Sequence, residues 1–158
     1  MPQHIFKGSQ EWTGNLGTGT NQYEAYSRNF EITTAEKHKI LGSADPQFRG
    51  EAARINPEDF LLNALSTCHM LWYFHLCADH GIVVISYKDS FEGEMEYGPN
   101  TNGGFISATL NPTVEITSES NQQLAIDLHH EAHKKCFIAN SVNFPILCNP
   151  TVKIDVNR

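Results

Sequence analysis

Four side chains in this sequence can do chemistry through sulfur: Cys68, Cys77, Cys136 and Cys148. Cys68 lies in Ser66-Thr67-Cys68-His69, inside a long apolar run. Cys136 ends a stripe of Leu124, Leu128, Ala132 and Cys136 at four-residue spacing, one face of a helix. If those two helices pack together, the thiols can meet. Such a pair can reduce a peroxide: a thiolate attacks the O–O bond, becomes a sulfenic acid, and condenses with a second thiol to a disulfide. On residue type alone the plainer reading is the commoner one, because free cysteine is among the most buried residue types. Cys77, nine residues beyond Cys68, falls on the opposite side of a helix turning about 100° per residue. Cys148 lies in or beside the last predicted strand. Both read as core.

A reactive cysteine needs help, since its ordinary pKa of about 8.5 leaves little thiolate at neutral pH. Arg49 and Arg54, in the loop before the long apolar run, and Arg28, in a predicted strand, are the candidate cations. Histidines raise two other possibilities. His129 and His133 share a helix face and could bind a metal. However, His130-Glu131-Ala132-His133 is not the zinc-protease spacing, so these read as exposed helix histidines, with no metal and no cofactor expected. A cysteine hydrolase would use His69 or His133 as base, yet His69, adjacent to Cys68, points about 100° away from it. A redox sensor would use the same sulfenate chemistry but needs an output partner. No DNA-binding helix or basic patch offers one.

The elements that must position these residues follow from hydrophobic patterning. Asn56-Pro57-Glu58-Asp59 is a helix start, with an N-cap Asn, Pro at the first helical position and acids in the first turn. Gly81 is a natural stop. Between Asp59 and Asp79 lie nineteen residues without a formal charge, apolar on nearly every side, which predicts a helix buried all round. A membrane span needs roughly 20 such residues. Here Asn63, Ser66, Thr67, His69 and His75 are scattered through the run and no basic cluster flanks it, so a central helix wrapped by sheet or by a second subunit is the better reading.

Before that helix, Ile5-Phe6 and Trp12, a turn at 14–19, a long strand from Thr20 to Thr34 and a short one at 38–41 predict a small sheet. Residues 42–55 read as a loop. After Gly81, a strand from Ile82 that could run to Met95 and an alternating stretch from Phe105 to Thr117 flank a connection at 98–104. Ser120-Asn121-Gln122-Gln123 fits a capping box opening a second helix. Asn140-Ser141 suggests a break, and Pro145–Leu147 with Val152–Val156 a last strand. The order is β-β-β-α-β-β-α-β, a single α+β domain over 1–158.

Bulk properties agree. The chain has 158 residues, 40% apolar and 18% charged, which suits one globular domain able to bury a core without staples. A formal net charge of -7 argues against nucleic acid and against an anionic membrane surface. The N-terminal residues carry no apolar stretch of signal-peptide length, so a cytoplasmic protein is expected. In that reducing setting a cysteine pair is more often catalytic or redox-sensing than structural.

Taken together, Arg49, Asn56-Pro57-Glu58, Ala64-Leu65-Ser66-Thr67-Cys68 and the distant Cys136 resemble the osmotically inducible protein C and organic hydroperoxide resistance (OsmC/Ohr) family. There an Asn-Pro-Glu opens the central helix and the peroxidatic cysteine follows ten residues after the Glu, the interval from Glu58 to Cys68. The second family cysteine closes the next helix, where Cys136 stands. The resemblance covers nearly the whole chain. It implies an OsmC-like fold, an intertwined homodimer with two sites at the interface, and a thiol-dependent peroxidase acting on organic hydroperoxides, with hydrogen peroxide a second candidate substrate. Cys68 matches the peroxidatic residue, Cys136 the resolving one, Glu58 the acid that holds the catalytic Arg, and Arg49 the Arg of the OsmC branch. The Ohr branch takes its Arg from the first hairpin turn, which here, Leu16 to Thr20, has none. A thiol or dithiol reductant is implied, such as protein-bound lipoyl. His69 and Phe137-Ile138, beside the two cysteines, depart from residues frequent in the family.

One expectation needs no relative. Ten helical residues separate Glu58 from Cys68 by about 15 Å along the axis, so the two cannot touch within one helix. If Glu58 serves the Cys68 site, it comes from a partner chain, and a symmetric dimer follows.

Overall fold

The computed structural model describes residues 2–35 and 38–157. Met1, which begins the N-terminal segment read above, lies outside the described residues. The chain divides into two compact units, 1–61 and 62–158.

In the first unit β1 (Gly8–Trp12), β2 (Phe30–Thr34) and β3 (Ile40–Gly42) form an antiparallel sheet in that order. Trp12 pairs with Phe30, and Phe30 with Gly42. The expected long strand from Thr20 is only five residues, Phe30–Thr34. The aromatic residues before it fold onto an arginine instead. The Arg28 guanidinium lies 3.9 Å from the Tyr26 ring centroid and 4.5 Å from that of Tyr23, and it donates to both backbone carbonyls at 2.6 Å. The cation–π pairing and the two hydrogen bonds hold those residues in a loop. The loop at 42–55 contains one 3-10 turn, Pro46–Phe48, capped by Asp45, whose side chain accepts from the Gln47 N–H at 2.8 Å.

Helix α1 (Pro57–Asp79) opens where the sequence says it should. The Asp59 N–H donates to Asn56 Oδ1 at 2.8 Å, and the Asn56 N–H donates to Asp59 Oδ2 at 3.3 Å, a reciprocal cap of the kind whose loss costs about 1 kcal/mol. It ends in a Schellman turn. The Ile82 N–H reaches the Cys77 carbonyl at 2.9 Å and the Gly81 N–H the Ala78 carbonyl at 3.4 Å. Gly81 takes φ +70°, a conformation costing an L residue about 1–2 kcal/mol.

The second unit carries the rest of α1, a second helix α2 (Gln122–Lys135) and two sheets. One has β4 (Val84–Asp89), β7 (Pro112–Thr117) and β9 (Thr151–Asp155). The other has β5 (Glu92–Glu96), β6 (Gly104–Leu110) and β8 (Ile146–Cys148). β4 and β5 pair antiparallel with their neighbours; β8 and β9 pair parallel to β6 and β7. The single strand expected from Ile82 to Met95 is therefore two strands in two sheets, and so is the expected last strand. Asp89 marks the first break: its carboxylate accepts from Ser66 Oγ at 2.6 Å and from the Asn111 N–H at 2.7 Å. The fold is α+β, with nine strands and two α-helices among the described residues.

The core joins Tyr73, Leu76 and Cys77 of α1 to Val114 and Ile116 of β7, Val152 of β9, and Ala125, Leu128 and Ala132 of α2. Within the chain α1 buries one face, Leu65, Ser66, His69, Tyr73, Leu76 and Cys77, whereas Leu71 remains 61% exposed. Burial on all sides, expected from the apolar run, is thus not met by this chain's own residues. Among the described residues no helix is long and apolar enough to cross a membrane.

Candidate active site

Cys68 stands midway along α1, half-buried, and Cys136 is the residue on which α2 ends. The N-cap of α2 is Asn121, whose side chain accepts from the Leu124 N–H at 3.0 Å. Ser120, the N-cap that the capping-box pattern predicts, instead accepts from the Val83 N–H at 2.9 Å. The predicted stripe then holds: Leu128, Ala132 and Cys136 are buried. At Cys136 the chain leaves helical geometry, with ψ 111°, and the next residues curl into a 3-10 turn, Ala139–Ser141. The curl brings the Ala139 N–H to the Cys136 Sγ at 3.4 Å.

The two thiols are neighbours, close enough for Cys68 to act on the titration of Cys136. Cys136, 1% exposed, has its pKa pushed up to about 11. Burial is the main cause, and the neighbouring Cys68 sulfur adds to it, against the opposing pull of the Ala139 and Ile138 backbone N–H groups. At neutral pH Cys136 keeps its proton beside Cys68. Such a pair has the proximity that thiol–disulfide chemistry requires.

Apolar side chains rim the pair. Trp72, one helical turn beyond Cys68 on the same face, meets Phe137 edge to face at 5.4 Å between centroids. The Lys135 ammonium lies 5.6 Å from the Trp72 ring centroid. Phe137 is 68% exposed. Leu71, Trp72 and His75 line a shallow depression of about 240 Å³ on that side of α1.

Arg49 and Glu58 belong to the first unit. Arg49 is exposed and ends the 3-10 turn with φ 65°; Glu58 lies in the first turn of α1. No ion pair joins them among the described residues. The nearby Arg54 pairs with Glu51 at 3.3 Å. Arg28 is committed to Tyr23 and Tyr26.

The histidines depart most from expectation. His130 is exposed and His133 half-buried, but His129 is only 2% exposed, and His69 1%. The ring of His69 faces away from its neighbour Cys68, as helical geometry predicts. Its Nε2 lies 3.0 Å from His129 Nδ1 and 3.8 Å from Cys148 Sγ. Burial lowers the His69 pKa to about 4, assisted by His133 and opposed by Asp89. Burial, and then His69, lower that of His129 to about 3. Neither ring is a cation at neutral pH, and neither is placed as a base for Cys68. Sequence reading missed this cluster. Its one local signal was His129 adjoining Leu128 of the buried stripe.

Comparison with known proteins adds the following. A family model described as OsmC-like protein matches residues 50–150. An OsmC-like protein of unknown function from Vibrio cholerae shares the fold with a TM-score of 0.84 and 28% identity, covering 94% of this chain and 99% of that one. An organic hydroperoxide resistance protein OsmC from Legionella pneumophila aligns with a TM-score of 0.66 at 16% identity, over 96% and 99% of the two chains. One from Elizabethkingia anophelis aligns at 0.67 and 15%, over 98% and 100%. These last two likenesses speak for the fold alone. A search of curated proteins returned no match.

Proposed function

This chain belongs to the OsmC-like family, and on that ground we propose that it is a thiol-dependent peroxidase of organic hydroperoxides, with Cys68 peroxidatic and Cys136 resolving. The observation that carries the reading is that Cys68 lies close enough to Cys136 to raise its pKa, although the two are sixty-eight residues apart in sequence. Structural neighbours named as organic hydroperoxide resistance proteins support it.

The Cys68 thiolate attacks the terminal oxygen of the hydroperoxide. The O–O bond breaks, the sulfur gives up two electrons, and the alkoxide leaves as an alcohol after taking a proton from solvent. Cys68 is then a sulfenic acid. The Cys136 sulfur attacks it, a water molecule leaves carrying the Cys136 proton, and a disulfide joins the two. A dithiol, such as protein-bound lipoyl, returns both thiols and is itself oxidised to a disulfide. The apolar rim of Leu71, Trp72 and Phe137 suits an alkyl or aryl hydroperoxide better than hydrogen peroxide.

The same reading assigns Arg49 to the activation of Cys68 and Glu58 to holding that Arg. Because about 15 Å of helix separates Glu58 from Cys68, it takes both from a partner chain in a symmetric homodimer, working in the cytoplasm. Peptide mapping after one equivalent of cumene hydroperoxide tests the chemistry: a Cys68–Cys136 disulfide is expected, and a disulfide to Cys77 or Cys148 overturns the assignment.

A further inference from the structure

A second cluster lies apart from the thiol pair. His69 of α1, His129 of α2 and Cys148 of β8 bring one ligand atom each to within 4.8 Å of one another. We propose that these three side chains form a binding site for zinc(II), with its fourth position turned toward solvent.

Three observations carry the assignment. First, the spacing fits. A tetrahedral zinc with bonds of about 2.0 Å to nitrogen and 2.3 Å to sulfur holds its ligand atoms about 3.3–3.8 Å apart. The distances from His69 Nε2, 3.0 Å to His129 Nδ1 and 3.8 Å to Cys148 Sγ, are within a few tenths of an ångström of that. Second, the donors converge in the interior: both rings are buried and approach each other through His69 Nε2 and His129 Nδ1, so these nitrogens face each other and Cys148 and not bulk solvent. Third, there is a path in. A cleft of about 330 Å³ is lined by His129, His130, His133 and Cys148.

The donor set narrows the ion. Two imidazoles and a thiol suit zinc and exclude the oxygen-seeking magnesium and calcium. Burial keeps both rings neutral at neutral pH, which leaves their lone pairs open to a metal. Burial, and then the Asp89 carboxylate, push the metal-free Cys148 thiol up to about 12, so it becomes the thiolate only as the ion binds, its proton passing to solvent. That anion and the Asp89 carboxylate, whose field reaches both His69 and Cys148, balance the charge of the ion. The surroundings of Tyr73, stacked on His129 at 3.8 Å between centroids, keep the ring in place.

The test uses the full chain, untagged, reduced and freed of metal, titrated with zinc chloride by calorimetry and with cobalt(II) by absorption. One ion per chain is expected, with a thiolate-to-cobalt charge-transfer band in the near ultraviolet. Cys148→Ser should remove the band and weaken zinc binding at least about 10²-fold, the upper end of what loss of supporting groups costs a metal site. His129→Gln should weaken it similarly, with far-ultraviolet circular dichroism checking its fold; Cys148 is half-buried and its variant guards against misfolding of the other. The Cys68→Ser/Cys136→Ser double variant should bind zinc as the parent does. No saturable binding, a band that survives Cys148→Ser, or binding lost in the double variant each overturns the proposal. The last also separates it from the peroxidase reading, which the first two leave intact.

Discussion

The Cys136 thiol lies beside the Cys68 sulfur and is held protonated, its pKa pushed up to about 11 by burial first and by Cys68 second. Cys136 is also 1% exposed where Cys68 is half-buried, so the two sulfurs are unequally accessible before any peroxide arrives. Iodoacetamide added to the reduced protein at neutral pH should modify Cys68 well before Cys136, with Cys136 reacting as the pH approaches 11. Because Cys68 raises the Cys136 pKa, Cys68→Ser should lower it and shift the Cys136 labelling profile to lower pH. Mass spectrometry of quenched time points checks both; equal rates at neutral pH would count against the inequality.

The two serine variants should fail differently. Cys68→Ser loses the nucleophile, and turnover of cumene hydroperoxide with a dithiol should fall by about 10³-fold or more, the scale on which removing a reacting group acts. Cys136→Ser keeps the first step. It should consume one equivalent of peroxide at near the parental rate and stop with a Cys68 sulfenic acid that dimedone traps. Stopped-flow peroxide consumption with intact-mass analysis distinguishes the two.

The rim should set substrate preference. Trp72 contacts Phe137 edge to face, and an aromatic pair is worth about 0.5–1.5 kcal/mol beyond the area it buries. Trp72→Ala should lower kcat/KM for cumene hydroperoxide by about tenfold relative to hydrogen peroxide, since about 1.4 kcal/mol is one decade. An equal loss for both peroxides would mean that Trp72 positions α1 rather than the substrate.

Acid should unfold the metal-free protein through its buried histidines. His69 and His129 titrate from 6.5 when unfolded to about 4 and about 3 when folded. The unfolded chain binds those protons first, so their contribution to stability is full above pH 6.5 and is lost as the pH falls toward 3. The denaturant midpoint should fall across that window. His129→Gln, though less stable at neutral pH, should show a shallower fall. An unchanged slope would mean that other groups govern acid unfolding.

Structure set within one turn of chain is legible in this sequence, and structure set by distant partners is not. Asn56-Pro57-Glu58-Asp59 names the start of α1 because cap, proline and acids act within one turn, and Gly81 names its end for the same reason. The capping-box pattern points to Ser120 as the N-cap of α2. The choice falls to Asn121 because Ser120 is engaged by Val83, thirty-seven residues away. Tyr23 and Tyr26 have strand-forming side chains, yet Arg28 gathers them into a loop. The break between β4 and β5 hangs on Asp89, whose partners are Ser66 and Asn111. The same contrast separates the candidate thiol pair from the histidine cluster. Cys68 and Cys136 stood out through helix phase and family spacing, whereas His69 and His129, sixty residues apart, carry no local mark that they meet.

Tyr73 ties the core to the histidine cluster. Its ring, fully buried, stacks on His129, and its hydroxyl donates to the Ala125 carbonyl at 2.9 Å. Tyr73→Phe removes one hydrogen bond and leaves the ring, so it should cost about 1 kcal/mol. Tyr73→Ala also opens a cavity between α1 and α2 and should cost about 3–5 kcal/mol, as large aromatic truncations do. Denaturant unfolding measures both. Since the stack also fixes the His129 ring, the Phe variant should keep the acid-induced fall described above, while the Ala variant should let water reach His129 and bring its titration back toward 6.5. Histidine proton resonances followed against pH would read that return, and a His129 titration unmoved by Tyr73→Ala would show that the stack does not keep the ring dry.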